Sequence, residues 1–263
     1  MFVILDVDEP PPGNLPWGTN WRVQSGSVHN PTTPRFARLG NVWLNTRRGL
    51  RNGPSLHELL HGFHNSMAQD SKTNFIIPTG VASHWGFSSA GGQFGGWDRD
   101  TLVSLGNGMY QANRSLSSPD SPSGPGFGTF ANGGNDVPYS NLELWTMGLV
   151  PDSELVSIDV AEDASRNDAA KFKATAIRTY SPNEIISRTI SGNRPSMVTP
   201  RAFRGLVVFA TTRTTIDMAT ITQLNGGIEE FSMRSPSWGT HNFWTATGMR
   251  ASLHLAAASE LAR

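Results

Sequence analysis

The chain of 263 residues is long enough for one large domain or two small ones. Its 21 Lys plus Arg balance 21 Asp plus Glu, which argues against the basic face that nucleic-acid binding requires. Cysteine is absent, so disulfides and thiolate metal sites are excluded, and the longest apolar run, Leu206 to Ala210, falls far short of the roughly 20 residues that span a bilayer.

Phe2 to Val7 reads as a short buried strand, stopped by Pro10, Pro11 and Pro12. Asn41 to Asn45 predicts a second strand. After Gly53-Pro54, Ser55 to Gln69 predicts a helix with Ser55 as N-cap. From Gly80 to about Asn135 the chain is rich in Gly, Ser, Asn and Pro, with a low-complexity stretch at Ser115 to Gly128. So long a stretch without regular structure is expected to be functional, and loops over a site are predicted. Tyr139-Ser140 opens a helix over Asn141 to Met147, ended by Gly148 and Pro151. Beyond it the pattern is α+β. Lys171 to Thr179 alternates like a strand, and Ser181 to Ser191 is a helix with the capping box Ser181-Pro182-Asn183-Glu184. Gly205 to Thr211 reads as an apolar strand, Ile216 to Phe231 as a helix despite Gly226-Gly227, and Arg250 to Leu255 as a last strand. No internal repeat is visible. The opening segment lacks the features of a signal peptide, which predicts either a cytoplasmic protein or a chain beginning after a removed leader.

The chemistry is concentrated at His57-Glu58-Leu59-Leu60-His61, an HExxH motif in a predicted helix. Side chains four apart share one helical face, about 6 Å apart along the axis, so two imidazoles can converge on one Zn²⁺. Glu58, at the edge of that face, can take a proton from an activated water and pass it to a leaving group. A competing reading exists for Glu58 alone. Ser55-Leu56-His57-Glu58 has capping-box spacing, which would make Glu58 a helix cap and leave both histidines unexplained.

A catalytic zinc needs a third protein ligand. His64 lies about 10 Å along a straight helix from His57, too far to share an ion easily, and reads as a helix-face or supporting residue. His84, beside Trp85 in the loop-rich region, is a ligand, an oxyanion donor, or simply packed against that tryptophan. Glu143 sits among Leu142, Leu144, Trp145 and Met147, where a carboxylate is costly unless paired or metal-bound. It is the favoured third ligand, with the capping box Ser140 to Glu143 as the competing reading. Asp98, Asp100 and Asp120 offer loop oxygens for Ca²⁺ but lack EF-hand spacing, and read better as surface acids. Trp85, Phe87, Phe94 and Trp97, set between glycines, either line a substrate cleft or pack against the domain, packing being the commoner outcome. No nucleophile elbow, Walker loop or dinucleotide fingerprint occurs.

HELLHGFH, then SHWGF, then YSNLELWTMGLVP resembles the pattern of a largely uncharacterised family of bacterial zincin-like metallopeptidases. The likeness extends to PNEIISRTISGNRP, FRGLVVFA and FWTATGMRAS, and so covers most of residues 55 to 256. It implies a gluzincin-type site with His57, His61 and Glu143 on zinc, Glu58 as base, and His84 or Tyr139 as the electrophile that stabilises the oxyanion. Leu60 departs from the usual glycine before the second histidine, which bears on how tightly the helix packs. The resemblance also implies export, to the periplasm or beyond.

The expectation is therefore a single zincin-like α+β domain over residues 1–263, with a metal-site portion at 1–150 and an α+β portion at 151–263. Its expected activity is zinc-dependent endoproteolysis of peptide or protein substrates. An esterase of the same fold, or a binding module with structural zinc, are the alternatives.

Overall fold

The computed structural model describes residues 1–7, 19–22, 41–64, 84–113, 134–166, 170–189, 201–236 and 240–256. The side chains of residues 19–22, 41, 42, 45 and 62–64 are not among those described, so the expectation for His64 falls outside them, as does Asp120 with the low-complexity stretch around it. The fold is mixed α/β with parallel and antiparallel sheets. In chain order the elements are β1 (Phe2–Leu5), β2 (Thr19–Arg22), β3 (Asn41–Thr46), α1 (Gly49–Asn52), α2 (Ser55–His64), β4 (Val103–Gly106), β5 (Met109–Gln111) and α3 (Asn141–Thr146). There follow β6 (Ile158–Glu162), β7 (Ser165–Arg166), β8 (Lys171–Lys173), β9 (Ala176–Tyr180), α4 (Pro182–Arg188), β10 (Ala202–Ala210), α5 (Met218–Ser232), α6 (Phe243–Ala246) and β11 (Ser252–Ala256).

The main sheet has the order β11-β10-β1-β3-β2, parallel throughout except for the antiparallel edge strand β2. Strands from both ends of the chain alternate in it, since β1 lies between β3 and β10. Phe2 and Ile4 of β1 are fully buried, as the apolar run predicts, and the Phe2 ring meets Trp43 of β3 at 5.0 Å. Close packing sets one residue type on β10. A Cβ on Gly205 would come within 2.6 Å of the Leu255 side chain and 3.2 Å of the Phe2 ring, so glycine makes room there for the side chains of the two flanking strands.

The other strands form a four-stranded antiparallel sheet, β4-β5-β8-β7, and a β6-β9 ribbon. The alternating segment Lys171 to Thr179 is thus two strands, not one. Ala174 and Thr175 turn away to bond Gly108 and Glu162, which moves the chain from one sheet to the other. Apolar residues recur every second position at Phe172, Ala174 and Ala176, straight across the break, so periodicity alone conceals it. Trp97 and Phe172 stack at 5.0 Å beneath this smaller sheet.

Helix α2 packs on β2 and β3. Its apolar residues Leu56, Leu59 and Leu60 fall at i, i+3 and i+4 and are all buried, each stabilising the fold by about 1.5–3 kcal/mol. Leu60 lies wholly within the core, so the helix accepts leucine where the resembled pattern has glycine. The helix does not begin as expected. Ser55 lies inside it and donates its hydroxyl to the Gly49 carbonyl, while the Glu58 N–H bonds Pro54, so the Ser55–Glu58 capping box does not form. The cap comes from far along the chain. Asn135, fully buried, accepts the Leu56 N–H at 3.1 Å and donates to the Leu50 carbonyl at 2.7 Å. Helices α3 and α4 do carry their predicted capping boxes, and Asp217 caps α5 by accepting the Thr220 N–H.

Candidate metal centre

His57 and His61 emerge from α2 on one face, as their spacing demands. His84 arrives from the loop segment 84–98, which is ordered by the ribbon beneath it. Ser89 N–H and Ala161 N–H exchange bonds with Asp159 and Phe87, and Arg99 grips the Asp159 carboxylate at 2.8 and 3.1 Å. The three imidazoles meet Nε2 to Nε2, His57 to His84 at 3.0 Å and His57 to His61 at 3.1 Å. Among the described residues they are the one group of three side chains whose ligand atoms lie within 4.8 Å of one another.

This donor set fits a metal ion. Nitrogens bound tetrahedrally at about 2.0–2.1 Å lie about 3.3 Å apart, within a few tenths of an ångström of these separations. The proton arrangement points the same way. The Nδ1 of His57 is 2.6 Å from the Gln93 carbonyl, which can only accept, so this nitrogen carries the proton and Nε2 presents its lone pair to the cluster. Two further imidazole nitrogens face that lone pair, an arrangement that a cation resolves better than hydrogen bonding. Charge on the rings is disfavoured as well. Burial first, then the neighbouring rings of His84 and His61, hold His57 well below the ordinary histidine pKa. Burial, then His84, pushes His61 down to about 3. Neutral imidazole is the form that binds metal. The cluster can hold one metal ion.

Glu58, between the two motif histidines in sequence, is buried, and desolvation raises its carboxyl to about 8. Its carbonyl accepts the Trp43 indole N–H at 2.6 Å, which ties the motif helix to β3.

Glu143, the favoured third ligand, stands outside the cluster. Its carboxylate accepts the N–H groups of Gln93 at 3.0 Å, Phe94 at 2.7 Å and Ser140 at 2.8 Å. It therefore closes the α3 capping box and at the same time fixes two residues of a glycine-flanked loop. The carbonyl of the first reaches the histidine cluster and that of the second the residue next to His84. Gln93 accepts from His57, and Phe94 accepts the N–H of Trp85, next to His84, at 2.8 Å. The Phe94 ring packs on the imidazoles, 4.7 Å from His61 and stacked on His84 at 5.8 Å. Gly92 permits the approach, since a Cβ there would lie 2.1 Å from the Glu143 carboxylate. Burial raises the Glu143 carboxyl to about 7 against the lowering effect of its hydrogen bonds.

Tyr139 is buried and donates its hydroxyl to the Leu56 carbonyl at 2.7 Å, so it braces α2. Burial, then Glu143, holds its pKa well above the ordinary value. Trp85 and Phe94 are buried in the main core, and Trp97 and Phe87 pack on Phe172 under the smaller sheet, which is the packing outcome for the loop aromatics. Asp98 and Asp100 are exposed on a turn and belong to no metal-type cluster among the described residues. Gln93 and Asn135 were not predicted. Their one sequence signal is a large polar residue flanked by glycines, at Gly91-Gly92-Gln93-Phe94-Gly95-Gly96 and Gly133-Gly134-Asn135.

The class of site defined here is a buried cluster of three histidines that could hold one metal ion. No protein-family model, curated protein or solved structure matches the chain.

Proposed function

We propose that the chain is a zinc-dependent hydrolase of zincin type, acting as an endopeptidase, with His57, His61 and His84 as the metal ligands and Glu58 as the general base. The observation that carries this reading is the convergence of three Nε2 atoms at 3.0–3.1 Å with Glu58 on the same helix. Imidazole donors without thiolate or carboxylate suit Zn²⁺, and three protein ligands leave a coordination position for a reactant, the pattern of catalytic zinc. When bound, the ion supplies a Lewis acid that polarises a carbonyl and lowers the pKa of water.

The chain's own residues supply the rest. Gln93 holds His57 in the tautomer and orientation that binding requires, and Phe94 excludes water from the imidazole faces. Glu58 takes the proton from the attacking water on its carboxylate and returns it to the departing amine. A divalent cation nearby favours its ionised form, opposing the desolvation that raises its pKa. Glu143 acts through Gln93 and Phe94, as a positioning residue.

The test is metal content together with chelator-reversible hydrolysis of casein and of a p-nitrophenyl ester, for wild type and Glu58→Gln. One zinc per chain and casein cleavage that disappears in the variant, with zinc retained, are expected. Ester cleavage alone would make the protein an esterase. Zinc retained without turnover on either substrate would make the ion structural, and absence of zinc would overturn the proposal.

A further inference from the structure

The candidate metal site takes its histidines from two pieces of chain. His57 and His61 belong to α2, and His84, 27 residues from His57, to the segment 84–98. Whether the three Nε2 atoms meet depends on how those pieces are held against each other. Residues 134–139 touch both. On the α2 side, the Asn135 side chain accepts the Leu56 N–H and the Tyr139 hydroxyl donates to the Leu56 carbonyl, one residue before His57. On the loop side, the Gln93 Nε2 donates to the Gly134 carbonyl at 2.6 Å and to the Val137 carbonyl. The C-terminal part of the chain fixes this strut in turn. The His241 N–H reaches the Asn135 carbonyl at 2.6 Å, and the Tyr139 N–H the Ala246 carbonyl at 2.9 Å.

Glutamine is a costly residue at such a position. Gln93 is wholly buried. The two carbonyls can only accept, so the amide is locked with Nε2 toward them, and its Oε1 is buried without a hydrogen-bond partner among the described residues. An apolar side chain of the same length would avoid that orphaned acceptor. What glutamine contributes in exchange is two donors placed between the loop and residues 134–137. They do a different task from the Gln93 main chain. Its carbonyl orients one ring, that of His57, and its N–H is held by Glu143. The side chain ties the loop that carries His84 to the same segment that grips α2.

We propose that the Gln93 side-chain amide is a positioning residue of the histidine cluster, registering His84 against His57 and His61 so that the three nitrogens stand at metal-binding separation before an ion arrives. This rests on the reading of the cluster as a metal site. Ligands already in place lose little freedom on binding, so metal affinity depends on the strut.

The test is titration of the metal-free full chain with Co²⁺, read in the visible d–d bands that report coordination geometry. Zinc competition against a chromophoric chelator and urea unfolding without metal accompany it. Gln93→Met keeps the length of the side chain and removes both donors. It is expected to weaken zinc about 10–100-fold and to change the cobalt bands. Gln93→Asn keeps the donors one methylene short, and is expected to fall between Gln93→Met and wild type in both readouts. Thr247→Val is the structural control, since it removes a buried hydroxyl whose bonds lie within residues 244–251. It is expected to lower the urea midpoint and to leave zinc affinity and the cobalt bands unchanged. A Gln93→Met chain that unfolds earlier yet binds both ions like wild type would overturn the proposal, because the amide would then be structural only. If that variant does not fold, Gln93→Asn decides, and wild-type zinc affinity there would overturn the proposal. Zinc weakened as much by Thr247→Val would overturn it too, because any loss of stability would then act on the site. A wild-type chain that binds neither ion would instead refute the metal reading, and the proposal with it.

Discussion

Replacing Glu143 by Gln takes one carboxylate oxygen from a group that accepts three backbone N–H bonds. If the amide oxygen occupies the Oε2 position, Gln93 and Ser140 keep their acceptor and the new NH₂ faces the Phe94 N–H. One hydrogen bond to a charged acceptor is lost and a buried donor is left opposite another donor, a cost of about 1.5–3 kcal/mol. Against a typical domain stability of about 5–15 kcal/mol the variant still folds. The loosened residues carry the carbonyls that hold His57 and the Trp85 N–H beside His84. Metal affinity is therefore expected to fall by about 10–100-fold, the usual effect of losing a group that orients a ligand. The assay is zinc competition against a chromophoric chelator, paired with urea unfolding of the metal-free protein. The expected result is one zinc per chain, a weaker Kd, and an unfolding midpoint lowered at constant m. An unchanged Kd and midpoint would refute the clamp. Complete loss of zinc, with the metal-free protein as stable as wild type, would instead make Glu143 a ligand.

The same carboxyl sets a pH dependence. Its folded-state pKa, about 7, lies above the ordinary 4.5, so the stability it contributes is full below about pH 4.5 and is lost as pH rises through 7. The gap in unfolding free energy between metal-free wild type and Glu143→Gln is expected to shrink across that window, and a gap that widens with pH would contradict the assignment. Tyr139→Phe loses the bond to the Leu56 carbonyl and about 1 kcal/mol of stability, with kcat/KM unchanged. A loss of about 10²–10³-fold in kcat would restore Tyr139 as an oxyanion donor. Gly92→Ala sets a methyl 2.1 Å from the Glu143 carboxylate, and is expected to cost about 1–3 kcal/mol in urea unfolding and to weaken zinc. Asn135→Ala removes the cap of α2 and about 2 kcal/mol, seen as a drop in Tm of about 4–8 °C; no change in Tm would show that the cap is dispensable.

What local sequence encodes, it encoded openly. The His57–His61 pair follows from helical spacing, and the capping boxes of α3 and α4 from Ser-x-x-Glu. The strands β1, β3, β10 and β11 announce themselves as apolar runs. The short strands β4, β5 and β7 carry no such signal, because two to four residues paired in a small sheet need little apolar patterning. The failed cap at Ser55 is instructive. Its spacing suits a capping box, but Asn135, 79 residues beyond Leu56, satisfies the Leu56 N–H and leaves Ser55 to bond back to Gly49.

The third ligand of the proposed metal site shows why sequence leaves His84 and Glu143 unresolved. An apolar neighbourhood demanded that Glu143 be paired or metal-bound, and backbone N–H groups meet that demand as fully as a cation does. Three of them reach it, one from its own helix start and two from a loop some fifty residues earlier. The first is visible as a motif, and the other two depend on Gly92 allowing close approach. Glycine flanks on Gln93 and Phe94 state that backbone must come near something without stating what. Once Glu143 is engaged there, its reach to the histidines passes through the Gln93 carbonyl and the His57 Nδ1 proton. The imidazole of His84 then completes the set from the loop that the same carboxylate helps to hold.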